Sequence, residues 1–185
     1  GNKNNRLQEV HFSEISEKGI SLFIKREDEL HHFISGNKFR KLKYNLVEAF
    51  NQQKQTLVTF GGAYSNHIAA VAAAGHEFNF KTIGVIRGDE LANNLEEVLQ
   101  ANPTLKFASE HNMKFHFVSR SDYRTKNTSD FIDKLHHKFG DFYLVPEGGT
   151  NHLAVKGSEE ILNKEDEKFD VICVAMGTGG TISGI

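Results

Sequence analysis

The sequence predicts an α/β protein built on a parallel sheet. Short β-branched runs alternate with longer stretches of helical periodicity. Glycine recurs in the loops that follow the strand-like runs, and sheets of this kind hold their ligands at those loops. The composition suits a globular core: 185 residues, 38% hydrophobic, with charges of both signs summing to −2.

The elements follow in order. Ile20–Asp28, "ISLFIKRED", reads as a strand running into a polar loop. Residues 36–52 read as a helix, with Phe39, Leu42, Leu46, Val47 and Phe50 on one stripe. "TLVTF" is a short buried strand. "SNHIAAVAAAG" is an alanine-rich helix for which Gly75 is the expected C-cap. "KTIGVIRG" is the next strand, and "NLEEVLQAN" and "TLKFASEHN" are helices divided by Pro103. "KFHFVS" is a strand, "TSDFIDKLHHKFG" a helix, "FYLVP" a strand and "NHLAVKGSEEILNKE" a helix. "FDVICVAM" is the last expected strand, leading into "GTGGTISGI". A parallel strand needs a crossover helix to cover it. The sequence is therefore expected to be the N-terminal part of a longer protein.

Several function classes lose support. No basic patch suggests a nucleic-acid partner, and no apolar run is long enough to span a bilayer. No charged start leads into an apolar segment, so no signal peptide is expected. The single cysteine, Cys173, cannot form an internal disulfide, and a cytoplasmic setting is the expectation. The histidine pairs 31–32 and 136–137 are adjacent, so they do not share a helix face. With no metal-ligand spacing either, no metal is expected.

Three motifs carry chemistry. In "MGTGGT", Gly177, Gly179 and Gly180 let the backbone approach a ligand and turn several N–H groups one way. That is an anion cradle, most naturally for phosphate, weighed about equally against a plain turn. No Gly-Lys-Ser/Thr follows, and Ile182 stands where a dinucleotide fingerprint has its third glycine. In "FGGAYSNH", Ser65 or a neighbour can cap the following helix. The N–H groups of Ser65, Asn66 and His67 could bind a carboxylate there, although plain capping is the better reading of this motif alone. In "FISGNKFRKLKYNL", a solvated basic face is the commoner outcome. A reactive lysine must be partly neutral, which burial, nearby cations and a helix N-terminus favour. Helical angles do not choose among Lys38, Lys41 and Lys43. The helix start favours Lys38, with Arg40 and Lys41 adding positive charge.

The order of the motifs is a Gly-Asn-Lys helix start, then "GGAYSNH", "VPEGGTN" and "MGTGGT". This resembles the pyridoxal-phosphate enzymes of tryptophan-synthase-β fold type, and within them the 1-aminocyclopropane-1-carboxylate deaminase and D-cysteine desulfhydrase family. The resemblance runs from about Ile20 to the end. It implies two α/β domains in three layers, with residues 41–167 forming the smaller. Residues 1–40 and 168–185 would belong to the larger, cofactor-holding domain. It implies that Lys38 carries the Schiff base of pyridoxal 5'-phosphate and serves as a catalytic acid or base. Asn66 would bond the cofactor ring hydroxyl, and Gly177, Thr178, Gly179, Gly180 and Thr181 would hold its phosphate. Ser65 would be catalytic and touch the substrate, with Asn66 and His67 completing the carboxylate site. The substrate would be a small amino acid and the whole enzyme a homodimer. Tyr64 stands where many relatives have glutamine, and His67 matches the desulfhydrase branch. The rivals are a serine/threonine dehydratase or cysteine synthase of the same fold, and a non-catalytic phosphate-ligand domain.

Overall fold

A computed structural model describes residues 6–34 and 36–185. Two strands, β1 (Leu7–Val10) and β2 (Leu22–Lys25), form an antiparallel ribbon around the short helix α1 (Ser13–Ser16). Then come α2 (Asn37–Asn51), β3 (Thr56–Gly62), α3 (Asn66–Phe78) and β4 (Lys81–Arg87). The helices α4 (Leu95–Ala101) and α5 (Pro103–Glu110) precede β5 (Lys114–Val118). The remainder is α6 (Arg120–Arg124), α7 (Ser129–Phe139), β6 (Tyr143–Val145) and α8 (His152–Ser158).

The main sheet is parallel, in the order β5-β4-β3-β6. β3 and β4 lie at its centre and are buried along both faces, as parallel strands covered by helices must be. Alternate residues feed two cores. Leu57 and Ile86 pack with α2, α3 and α5, whereas Val58, Phe60 and Val85 pack with Tyr123 of α6 and Leu135 of α7. The result is three layers.

Helix α3 is buried almost all round because its alanines let it press close to the sheet. Gly75 is not its C-cap. The helix runs on to Phe78 and ends at Asn79 in the left-handed region. A Cβ on Gly75 would lie 2.1 Å from Thr82 Cγ2, so glycine is required there by close packing against β4. Pro103 occupies the first turn of α5 with Asn102 as its cap, which is how it separates the two helices. Buried Asn45 of α2 bonds Asn151, the cap of α8, and accepts from the Tyr143 hydroxyl. That network ties α2 to α8 and β6.

Three expectations change. The ribbon strand β1 was not foreseen. The α8 helix is shorter than residues 151–165, and a 3-10 segment, Lys164–Lys168, follows it. Residues 169–176 make no ladder among the described residues, because a strand is defined by a partner and none of those residues offers one. Val171, Ile172 and Met176 are exposed there. On α2, Val47 and Phe50 are also exposed, and with Phe78 and Phe80 they line an open apolar groove. Among the described residues no helix is long and apolar enough to cross a membrane.

Candidate active site

The carboxyl ends of β3 and β6 open into a cavity of about 350 Å³. Every site residue expected from the sequence lines it: Lys38, Ser65, Asn66, His67 and the run Gly177, Thr178, Gly179, Gly180, Thr181. Asn37, Lys41, Glu147 and Gly148 line it as well. The glycine-bearing loop after β4 does not.

Lys38 sits in the first turn of α2, whose N-cap Gly36 provides no side-chain cap. Ser35, part of the Ser-Gly-Asn lead, lies outside the described residues. Lys38 Nζ donates to the Gly148 carbonyl at 3.2 Å, and burial pulls its pKa below the ordinary lysine range. Gly148 adopts φ +68°, which aims that carbonyl and favours glycine. A Cβ on Gly148 would also crowd Thr178 at 2.9 Å.

Lys41, one turn further along the same face, was expected from the sequence only as a positive charge beside Lys38 and as a less favoured candidate for the reactive lysine. It is 1% exposed. Its Nζ donates to Thr150 Oγ1 at 3.0 Å, and Thr150 Oγ1 lies 2.6 Å from Thr178 Oγ1. Burial, then the charge of Lys38, lowers its pKa to about 8. Neither lysine has a carboxylate partner among the described residues. A Cβ on Gly180 would stand 2.9 Å from Lys41 Nζ, so glycine keeps open the gap between the loop backbone and this cation. Thr181 Oγ1 accepts from Asn37 Nδ2 at 2.6 Å, fastening the loop to the start of α2.

Ser65 caps α3 by accepting from the Ile68 N–H. Its own N–H is occupied, donating to the Gly62 carbonyl at 3.1 Å. The expected three-donor carboxylate site therefore narrows to the N–H groups of Asn66 and His67, which lie in the first turn and face no intrahelical acceptor. The His67 ring is buried, with Nε2 2.8 Å from Thr59 Oγ1. Burial, followed by the charges of Lys38 and Lys41, drives its pKa down to about 3, so the ring is neutral.

A catalytic lysine candidate, a glycine cradle and an open helix N-terminus thus share one cavity. The family model described as pyridoxal-phosphate dependent enzyme matches residues 3–185. The chain belongs to this family.

Among curated relatives, the bifunctional D-cysteine desulfhydrase/1-aminocyclopropane-1-carboxylate deaminase of Arabidopsis thaliana is 35% identical over 90% of this chain and 44% of its own length. A putative 1-aminocyclopropane-1-carboxylate deaminase of Thermotoga maritima is 35% identical over 92% of this chain and 55% of its own. A D-cysteine desulfhydrase of Serratia proteamaculans is 26% identical over 90% and 52%. The solved structure of an ACC deaminase homologue superposes with a TM-score of 0.72 at 25% identity, over 98% of this chain and 55% of that one. Maize serine racemase, at 19% identity and a TM-score of 0.70, shares the fold. The chain spans about half the length of the curated relatives it matches. The cofactor of the family is pyridoxal phosphate, and the cavity fits it. A buried cation without an acidic partner faces a backbone loop that glycine keeps open, and a second lysine of lowered pKa stands beside it.

Proposed function

We propose that the protein is a deaminase or lyase acting on a small amino acid, 1-aminocyclopropane-1-carboxylate or D-cysteine. The products are a 2-oxo acid and ammonia, with sulfide in addition from D-cysteine. The observation that carries this reading is the placement of Lys38 in one cavity with the 177–181 loop and the start of α3. The names of the relatives support the substrate pair.

In this reading Lys38 attaches the cofactor, and burial shifts it toward the neutral amine that attachment needs. Backbone N–H groups from Gly177 to Thr181 hold the phosphate. Lys41 adds the cation opposite them, where its buried charge gains an anionic partner. Asn66 bonds the ring hydroxyl. Bound pyridoxal phosphate supplies an electron sink for the substrate's α-carbon. The N–H groups of Asn66 and His67 orient the substrate carboxylate. Ser65 Oγ, already accepting from Ile68 N–H, keeps its hydroxyl proton free to meet the substrate. Lys38 Nζ, once released, carries a proton to or from the substrate. Residues 41–167 form the smaller domain, and residues 1–40 and 168–185 join the larger one, for which the exposed Val171 and Ile172 are suited. The whole enzyme is a cytoplasmic homodimer.

The test is side-by-side kinetics with cofactor on 1-aminocyclopropane-1-carboxylate, D-cysteine, L-serine, L-threonine and O-acetylserine. We expect D-cysteine to be turned over at least as well as the cyclopropane. Turnover confined to the last three substrates would move the enzyme to the dehydratase or synthase branch. No cofactor binding at all would leave only a phosphate-ligand domain.

A further inference from the structure

The cavity is rich in cations. Lys38 and Lys41 line it without a carboxylate partner among the described residues. A zwitterionic amino acid would bring an ammonium as well as a carboxylate into that field. The N–H groups of Asn66 and His67 suit the carboxylate alone. The ammonium needs an acceptor, best of opposite charge.

Among the described residues that line the cavity, Glu147 is the one carboxylate. It follows β6 and directly precedes Gly148, whose carbonyl holds Lys38 Nζ at 3.2 Å. Its backbone is braced by the bond from the Gly149 N–H to the Pro146 carbonyl at 2.8 Å. Its carboxylate is fixed from the α6 side. The Tyr123 hydroxyl donates to Oε1 at 2.7 Å, and Lys126 Nζ lies 3.2 Å from Oε2. The anchors are themselves held. Tyr123 is buried edge-on against Phe60, and the Lys126 ammonium stands 4.7 Å over the Tyr123 ring. Burial, then the bond to Glu147, pushes the phenol pKa up, so the hydroxyl stays a donor. A carboxylate has about four lone-pair positions, and these two contacts leave part of them unused. The Glu147 side chain is still 43% exposed, so the anchored group keeps an open acceptor.

We infer that Glu147 is a substrate-binding residue whose carboxylate, set by Tyr123 and Lys126, receives the α-ammonium of the amino acid beside Lys38. The two ends of the substrate are then held by opposite means: N–H groups of α3 take its carboxylate, and Glu147 takes its ammonium. Because Glu147 adjoins the carbonyl that holds Lys38 Nζ, the two amines are brought together. This rests on the reading of the cavity as an amino-acid site.

The probes are N,N-dimethylglycine and 3-methylbutanoate, which share one shape and differ by a cationic N–H against a C–H. Neither can condense with the cofactor aldehyde. Calorimetry on the protein saturated with pyridoxal phosphate should show the parent binding dimethylglycine about tenfold tighter. Glu147→Gln keeps an acceptor for the Tyr123 hydroxyl. It should abolish that preference and leave 3-methylbutanoate binding as it was. Glu147→Ala serves if the glutamine variant does not fold. Equal binding of the two acids by the parent, binding of neither, or an unchanged preference in the folded variant overturns the inference. A carboxylate that only ties β6 to α6 would alter thermal stability and not the preference. Borohydride reduction separates this result from the functional reading. Cofactor fixed on Lys38 without any ammonium preference sinks this inference alone. A preference that depends on Glu147, with no cofactor fixed on Lys38, sinks the functional reading and supports the ammonium site.

Discussion

Helix α2 carries four cations within six residues, and they fall into two regions of opposite character. Arg40 and Lys43 look away from the cavity and are compensated. Arg40 reaches Glu27 at 3.1 Å and Glu160 at 3.3 Å, and Lys43 reaches Glu160 at 2.7 Å. Lys38 and Lys41 face the cavity and find only a carbonyl and a hydroxyl. Burial lowers the pKa of both. Two cations paired with glutamates on one flank and two without a carboxylate on the other are what the proposed anionic ligand requires. The basic run is thus an ion-paired flank and a candidate chemical site at once, divided by helical geometry.

The largest effect that sharpens this contrast should come from Ser65, on the cavity side. Ser65→Ala should lower turnover by ~10²–10⁴-fold if the hydroxyl moves a proton. A plain cap would cost only about 1 kcal/mol of stability. Steady-state kinetics and thermal unfolding together separate the two, and unchanged turnover would return Ser65 to the role of a cap.

Gly180→Val comes next. Its side chain would enter the space between the loop and Lys41, where even a Cβ meets Nζ and Thr150 at 2.9 Å. Cofactor affinity should fall sharply, while circular dichroism shows the fold retained. Gly179→Val should weaken binding too, through its φ of +82°. Unaltered affinity in both variants would make the loop a turn and nothing more.

Lys41→Met should split stability from function. The folded-state pKa of Lys41, about 8, lies below the ordinary 10.5. Below pH 8 both folded and unfolded chains hold the proton, and the cost of burying the charge is present in full. Between pH 8 and 10.5 the unfolded chain holds more proton, so stability rises with pH, by up to about 3 kcal/mol from this group. The variant should be more stable than the parent at pH 7, should lose this part of the alkaline rise, and should bind pyridoxal phosphate more weakly. Denaturant titrations at pH 7 and pH 10 check the first two outcomes. A variant less stable at pH 7 would mean that Lys41 is held by something other than an absent anion.

The smallest effect belongs to the outward flank. Lys43→Ala removes a half-exposed pair to Glu160 and should cost under about 1 kcal/mol, with cofactor binding unchanged. A loss of binding there would dissolve the contrast between the two flanks.

The legible parts of the molecule were those whose signals are local. The central strands β3 and β4 are apolar runs bounded by glycine, and the cap of α3 is a serine in sequence position to cap it. The glycine loop and the Gly-Asn-Lys start were visible for the same reason. What escaped depends on tertiary placement. Strand β1 is short and only partly buried, so its pattern is weak. Gly75 resembles a helix stop, and only its 2.1 Å approach to Thr82 reveals its packing role. The apolar run 169–176 has the composition of a strand without a partner among the described residues. The burial of Lys41 and the contact of Thr59 with His67 were hidden because packing, and not residue type, sets them.

The central claim is that Lys38, of all the lysines on α2, attaches the cofactor. Borohydride reduction of the protein loaded with pyridoxal phosphate, followed by peptide mapping, tests it directly. The account predicts one modified residue, Lys38, with near-visible absorbance lost in Lys38→Ala and kept in Lys41→Ala and Lys43→Ala. A reduced adduct on Lys41 or Lys43, or an adduct that survives in Lys38→Ala, would contradict it.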